Sequence, residues 1–333
     1  MKILITGIAG FVGMHLALKL IEEDNEIIGI DNMNSYYDVA LKKERLKKLK
    51  KTNINFYEED IQNLDNLKSI FKKEKPKIVI HLAAQAGVRM SIIDPHQYVQ
   101  TNIAGFLNIL ELCCSENIKH LFYASSSSVY GNNNSKIFSE SDNTDNPISI
   151  YAASKKSNEI MAYTYSDLYN LSSTGMRFFT AYGPWGRPDM AYFKFVKSII
   201  SGERIDVYGY GELYRDFTYI DDLVNCINLL IKKKMSIKDK YSIYNIGNNN
   251  TVKLKKFINI IEQILNITAS KNLLDKQPGD VIKTIANSKK LYETIGYRPT
   301  TDIKVGMKKF IKWYIEFYNV KKTLSQFEHK YEK

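Results

Sequence analysis

The sequence predicts an α/β protein built on a doubly wound parallel sheet, with a smaller mixed α/β lobe beside it. Two observations carry that prediction. Short β-branched runs alternate with helix-periodic stretches through the first part of the chain, and a glycine-rich turn joins the first run to the first helix. A third sets off the lobe: after about Thr180 the alternation gives way to a loop bearing glycine and proline, Ala181 to Asp189.

The elements follow in order. Met1 to Thr6 is an apolar run ending at Gly7, Phe11 to Ile21 has helical spacing, and Glu26 to Asp31 is a second strand. Strand, glycine turn, helix and strand make the opening βαβ unit of a nucleotide-binding sheet. Further strands are expected at Asn53 to Glu58, Lys77 to His81, His120 to Ala124 and Ser173 to Phe179, and helices at Leu64 to Lys73, Tyr98 to Glu116 and Tyr151 to Tyr169. Strands buried on both faces read as such apolar runs, and parallel neighbours need such crossovers. The pattern is Rossmann-type and is assigned to residues 1–180. Residues 181–333 are assigned to a substrate-binding lobe, with helices at Phe193 to Ser201, Leu254 to Leu265 and Val305 to Tyr318. Tyr244 to Gly247 reads as a strand returning to the main sheet, so the first domain takes back a stretch around 216–247 and the lobe is discontinuous.

Bulk properties narrow the class. At 333 residues the chain exceeds a single small core, and 44% hydrophobic with 25% charged residues is an ordinary globular balance. A net charge of +11 raises the question of nucleic acid. The lysines, however, are interleaved with Glu and Asn, and the run from Lys42 to Lys51 reads as a solvated helix face with leucines opposite. No nucleic-acid partner is expected; a positive field suits a polyanionic small substrate such as a nucleotide diphosphate. Apolar runs such as Ile27 to Ile30 and Ile227 to Ile231 fall far short of the roughly 18 residues of a membrane span. The start reaches Gly7 before a signal core develops, so a cytoplasmic protein without membrane association is expected. Cys113, Cys114 and Cys226 read as small core residues. His15, His81, His96, His120 and His329 show no ligand spacing, so no metal is expected.

Three motifs carry chemistry. Gly7-Ile8-Ala9-Gly10-Phe11-Val12-Gly13 follows a strand and opens a helix, where glycines let the backbone approach a pyrophosphate held by helix amides. Its spacing, G-x-x-G-x-x-G, departs from the commoner G-x-G-x-x-G. Asp31, ending the second strand, is placed to meet the adenosine ribose diol and would repel a 2′-phosphate, which favours NAD over NADP. Tyr151 and Lys155 lie one helical turn apart on one face. A neighbouring ammonium favours tyrosinate and would make Tyr151 a usable acid or base near neutrality. Ser125 to Ser128 follow a predicted strand, where hydroxyls face the crevice at the carboxyl ends of the sheet and can bond a substrate oxygen whose charge changes.

Together, the glycine loop, serine run and Tyr-Lys pair resemble the extended short-chain dehydrogenase/reductase family. Within it the chain is similar to the UDP-glucuronate 4-epimerases, through Asp31 to Asp38, His81 to Arg89, Arg177 to Met190, Arg215 to Asp222 and Gln277-Pro278-Gly279-Asp280-Val281. The likeness spans nearly the whole chain. It implies that Tyr151 is the base, that Lys155 holds the nicotinamide ribose and tunes Tyr151, and that Ser126 is the catalytic hydroxyl. It implies NAD binding by Gly7, Gly10, Phe11, Val12, Gly13, Asp31 and Asn32, with Asp60 and Ile61 near adenine and Ala83, Ala84 and Gln85 along the cofactor. Arg215 resembles the arginine that meets the UDP diphosphate; Arg89, Ser127, Ser128, Thr180, Arg187 and Asp280 are candidates for the rest of the UDP-sugar. A homodimer paired through the helices at Tyr98 to Glu116 and Tyr151 to Tyr169, and a role in polysaccharide biosynthesis, are also implied.

The expected reaction is inversion at C4 of UDP-glucuronate through a 4-keto intermediate. Dehydratases and decarboxylases that resemble this chain place an acid just after the catalytic Ser or Thr. Here Ser127 and Ser128 stand in those places, which weighs against both activities. Epimerisation of UDP-N-acetylglucosamine or UDP-glucose is the nearest alternative. A non-catalytic NAD-binding regulator is a remote one, disfavoured because Tyr151, Lys155 and Ser126 are all present.

Overall fold

The computed structural model describes residues 1–50, 52, 54–133, 135, 137–236, 240–277 and 279–320. Lys51, Asn53, Pro278 and His329, which figure in the expectations above, lie outside the described residues, as does the stretch 321–333.

Six strands succeed one another before the lobe begins: β1 (Lys2–Thr6), β2 (Glu26–Asp31), β3 (Ile54–Glu58), β4 (Ile78–His81), β5 (His120–Ser126) and β6 (Ser173–Phe178). Then come β7 (Thr180–Tyr182), β8 (Ile205–Tyr208) and β9 (Tyr214–Tyr219), which lie elsewhere, and β10 (Tyr241–Ile246), which returns to close the edge. The main sheet has seven strands in the order β10-β6-β5-β4-β1-β2-β3. Every neighbouring pair is parallel. The order reverses between β1 and β4, and ligands of such sheets enter at the carboxyl ends beside that reversal.

The period-two alternation of the strands separates two cores. Ile3, Ile5, Ile80 and Phe122 belong to one apolar cluster, and Leu4, Ile28, Val79 and Leu121 to another. The helices that cover them are α1 (Phe11–Ile21), α2 (Val39–Lys50), α3 (Leu64–Glu74), α4 (Met90–Ile93), α5 (Pro95–Tyr98), α6 (Gly105–Ser115), α7 (Ile150–Tyr169), α8 (Ala191–Ile200), α9 (Ile220–Met235), α10 (Leu254–Leu265), α11 (Lys289–Ile295) and α12 (Ile303–Phe317). Capping sets the ends of α7. The Ser149 hydroxyl accepts from the Ala152 amide at 3.1 Å, and Asn170 stops the helix in the left-handed region at φ 55°. In the lobe, β9 runs parallel to β7 and antiparallel to β11 (Thr251–Lys253), and β8 is parallel to β12 (Lys271–Leu274). No helix among the described residues is long and apolar enough to cross a membrane.

Two expectations are corrected. The stretch from Tyr98 to Glu116 is not one α-helix: between α5 and α6, Val99–Ala104 form a π-helical segment. There the Asn102 side chain brackets the Gln85 backbone, accepting from its amide at 2.8 Å and donating to its carbonyl at 3.0 Å, while the Asn102 carbonyl accepts from the Asn158 side chain at 2.6 Å. The wide π-helical turn brings these bonds into register with the chain that leaves β4. The second correction concerns α2, whose basic run is not solvated throughout. Lys42 is buried and Arg45 is 0% exposed, on the face that also carries Leu41, Leu46 and Leu49. Cys113 and Cys226 are buried free thiols in the two cores, and Cys114 is half-buried.

Candidate active site

Packing dictates the glycine turn. Gly7 has φ +74°, and a Cβ there would lie 2.7 Å from the Ala83 amide nitrogen; one at Gly13 would lie 2.2 Å from the Gly7 carbonyl oxygen. The turn therefore brings β1 and α1 against the chain leaving β4. Gly10 caps α1 without any side-chain bond, so the amides of its first turn, at Phe11, Val12 and Gly13, open onto the cleft. Asp31 is buried, accepting from the amides of Ala9 at 3.1 Å and Met33 at 2.9 Å, with the Lys42 ammonium at 3.8 Å. Burial pushes its carboxyl above the usual range, opposed by Lys42 and the two amides.

The Asn32 amide donates to Asp60 at 2.7 Å. Asp60 thus positions Asn32 and stands outside the cleft lining, whereas Ile61, Ala83, Ala84 and Gln85 lie in it. The cleft holds about 1170 Å³ and runs from this turn, past α7, into the lobe. An uncapped helix start, a backbone cradle that no side chain could enter, and a carboxylate at the end of β2 fit a dinucleotide.

Tyr151, Lys155 and Ser126 line the same cleft further along. Burial raises the Tyr151 phenol above its ordinary value, while a hydrogen bond from Ser126 and the nearby Arg187 charge draw it down. The Tyr98 ring meets it edge-on at 6.2 Å. Lys155 donates to the Ala124 carbonyl at 2.9 Å, and burial brings its ammonium down to about 8. Beneath them lies a charged brace: the Glu159 carboxylate pairs bidentately with Arg177 at 2.8 Å on both arms and accepts from Ser125 at 2.6 Å. Arg177 also donates to the Tyr130 hydroxyl at 2.9 Å, which donates to Asn245 at 2.6 Å. One network therefore ties β5, β6, α7 and the returning β10, and fixes where the serine run ends.

On the lobe side the cleft collects Ser127, Ser128, Thr180, Arg187, Arg89, Arg215 and Asp280. Arg187 is already engaged: its Nε and Nη2 reach the two Asp189 oxygens at 3.0 and 2.5 Å. Burial works to raise the Asp189 carboxyl, but the Arg187 charge wins and holds it below the usual range. Asp280 stands between two arginines, 3.6 Å from Arg89 and 3.7 Å from Arg215. Arg215 also donates to the Val281 carbonyl at 2.8 Å, and Arg89 lies 4.6 Å over the Tyr208 ring.

Sequence reasoning assigned no role to Tyr36, Asp189, Lys42 or Arg45. Tyr36 and Asp189 line the cleft with their side chains in contact, Tyr36 Oη to Asp189 Oδ2 at 3.5 Å. For α2 a signal was available: Lys42, Arg45, Leu46 and Leu49 recur at i, i+3, i+4 and i+7, one helix face. The basic character of Lys42 and Arg45 concealed it.

A glycine cradle at the head of a doubly wound sheet, with a Tyr-Lys helix and a serine at its carboxyl edge, defines a dinucleotide-dependent enzyme of the short-chain dehydrogenase/reductase type. The model of the NAD dependent epimerase/dehydratase family matches residues 3–247, and the chain belongs to that family. It is 53% identical to "Protein CapI" of Staphylococcus aureus, over 96% of this chain and 99% of that one. It is 45% identical to UDP-glucuronate 4-epimerase 4 of Arabidopsis thaliana, over 95% of this chain and 76% of that one. The crystal structure of UDP-glucuronic acid 4-epimerase from Bacillus cereus, in complex with UDP-glucuronic acid and NAD, matches with a TM-score of 0.90 at 32% identity, covering 96% of this chain and 100% of that one.

Proposed function

We propose that the chain is an NAD-dependent UDP-sugar 4-epimerase of the cytosol, converting UDP-glucuronate to UDP-galacturonate for polysaccharide biosynthesis and acting as a homodimer. The observation that carries the chemistry is that Tyr151, Ser126 and Lys155 line the cleft that the glycine turn heads, with Ser126 bonded to the Tyr151 phenol. Bound NAD would supply a hydride acceptor at C4 of the sugar and, once reduced, the donor of the same hydride.

The side chains do the rest. Tyr151 takes the proton of the 4-hydroxyl and later returns it, and Ser126 bonds the C4 oxygen as it changes between alcohol and ketone. Lys155, released from the Ala124 carbonyl, offers its charge to the ribose and the phenol. Turning the sugar over between the two half-reactions inverts C4. With glucuronate the intermediate is a β-keto acid, which loses carbon dioxide when the carboxylate aligns with the ketone. Ser127, Ser128, Thr180 and Arg187 are the groups proposed to hold it out of alignment. Because Asp189 already neutralises Arg187, that contact would orient more than attract.

The same pairing favours a second reading, in which the natural sugar is neutral, as in UDP-glucose or UDP-N-acetylglucosamine. Incubating the purified enzyme with each of the three UDP-sugars and identifying the products decides between them. UDP-galacturonate is expected; its absence, with another epimer formed, would replace the substrate. The homodimer reading is supported by large apolar side chains left exposed on α6 and α7, namely Leu107, Ile160, Tyr163 and Leu168.

A further inference from the structure

Arg45 is the most completely buried cation of the nucleotide-binding half, yet every group it touches is neutral. Its Nη1 donates to the Ala9 carbonyl at 3.0 Å and to the Tyr37 hydroxyl at 2.6 Å. Its Nε and Nη2 both reach the Trp185 carbonyl, at 3.2 and 2.6 Å, and Nη2 also reaches the Gly186 carbonyl at 3.1 Å. Among the described residues no carboxylate makes an ion pair with it, although its charge is felt at Asp31, which pairs with Lys42 instead. Removing a guanidinium from water without a directly bonded carboxylate is costly unless its donors are filled, and here all three nitrogens are. A structural arginine would more commonly take an acid as partner, so the choice of three separate backbone carbonyls calls for an explanation.

The three segments are the ones that line the cleft from different sides. Ala9 belongs to the glycine turn, Tyr37 to the stretch after β2, and Trp185 with Gly186 to the loop that presents Arg187. That last loop carries backbone conformations that most residues avoid. Gly183 has φ +144° and Trp185, though not glycine, has φ +63°. Its successive carbonyls are taken from the cofactor side: Pro184 O by His15 Nε2 at 3.0 Å, then Trp185 O and Gly186 O by Arg45. His15 must donate there, since a carbonyl only accepts, and burial keeps the ring neutral by lowering its value to about 4.

We propose that Arg45 is a positioning residue that registers the dinucleotide turn against the Arg187 loop, so that seating the cofactor and seating the sugar favour one another. This rests on the reading of the cleft as a site for NAD and a UDP-sugar. A lysine cannot replace it, because a single ammonium reaches from one point, whereas the planar fork spans three segments at once. Coupling of this kind is reciprocal: whatever the sugar does to cofactor retention, the cofactor does to sugar affinity.

The test uses the holoenzyme as purified and follows the release of NAD in buffer, in saturating UDP, and in saturating UDP-glucuronate. In the wild type, UDP-glucuronate should slow release about tenfold more than UDP does, within the usual span of coupling factors. In Arg45→Lys that sugar-dependent factor should fall about threefold or more, with kcat/KM reduced about 10- to 100-fold by misplacement of the Arg187 loop. A merely structural role would hasten release in all three conditions alike and leave the factor unchanged, which would overturn the proposal. Should Arg45→Lys yield no folded holoenzyme, Tyr37→Phe, which removes one partner of Nη1, is read in the same way: a smaller factor supports coupling and an unchanged one overturns it. If the wild type forms no UDP-galacturonate, the substrate reading fails on its own. The release factor is then measured with whichever UDP-sugar is turned over, and the coupling stands or falls there.

Discussion

At the scale of single residues, the phenol of Tyr151, the proposed base, is held above its ordinary value by burial, against which Ser126 and Arg187 pull. Its replacement should therefore be felt in turnover and not in cofactor retention. Tyr151→Phe is expected to lower kcat by at least about 10²- to 10⁴-fold, the usual worth of a positioned acid or base, while NAD co-purifies in the wild-type ratio. Assaying turnover and bound nucleotide on the same preparation checks both halves. Lys155 makes a prediction about stability. Burial brings its folded value to about 8 from an ordinary 10.5, so between those pH values the unfolded chain holds the proton and the folded chain does not. Stability contributed through this group must then rise with pH across that window, by up to about 3 kcal/mol. Lys155→Met has no such dependence. Urea denaturation of both proteins from pH 7.5 to 10.5 should show the wild type gaining on the variant; a constant gap would mean that the buried ammonium is not depressed.

At the scale of elements, the strands of the main sheet and helix α7 were legible because burial on both faces leaves an apolar run, and because a Tyr-Lys pair one turn apart needs only helical geometry. The π-helical segment was not, since its cause is tertiary. Asn102 widens the turn to bracket Gln85, and the residues that reward it lie in β4's loop and α7. Asn102→Ala would leave both backbone groups of Gln85 without partners in a buried setting, costing about 1–3 kcal/mol for each. The urea midpoint should fall accordingly, without a change in slope. The lobe strands β8, β11 and β12 escaped for the opposite reason. They are three or four residues long, too short for their alternation to stand out. Lys42 and Arg45 show a third kind of loss, where charge outweighed spacing as a guide although spacing was the better physical signal. The site residues gathered by the cleft were mostly legible in the motifs; Asp60, turned away to hold Asn32, is the one assigned residue outside the cleft lining.

At the scale of the whole molecule, the proposed pairing of α6 and α7 between two copies makes a direct prediction. Tyr163 and Ile160 are 57% and 54% exposed, a poor use of large apolar side chains in a lone subunit. Tyr163→Asp should shift sedimentation from dimer to monomer; a wild type already monomeric at micromolar concentration would remove the reading. The return of β10 to the main sheet has a different consequence. Its partner β6 lies about seventy positions earlier, with Tyr241 set against Ser173 and Ile246 against Phe178. The Arg177 brace is finished only when Asn245 arrives. On the ribosome, then, the glycine turn and the tyrosine helix are both made well before the sheet edge that secures them, and a nascent chain stalled near residue 200 should stay open to protease. Vectorial synthesis delivers this cofactor pocket late, after most of its own residues have left the exit tunnel.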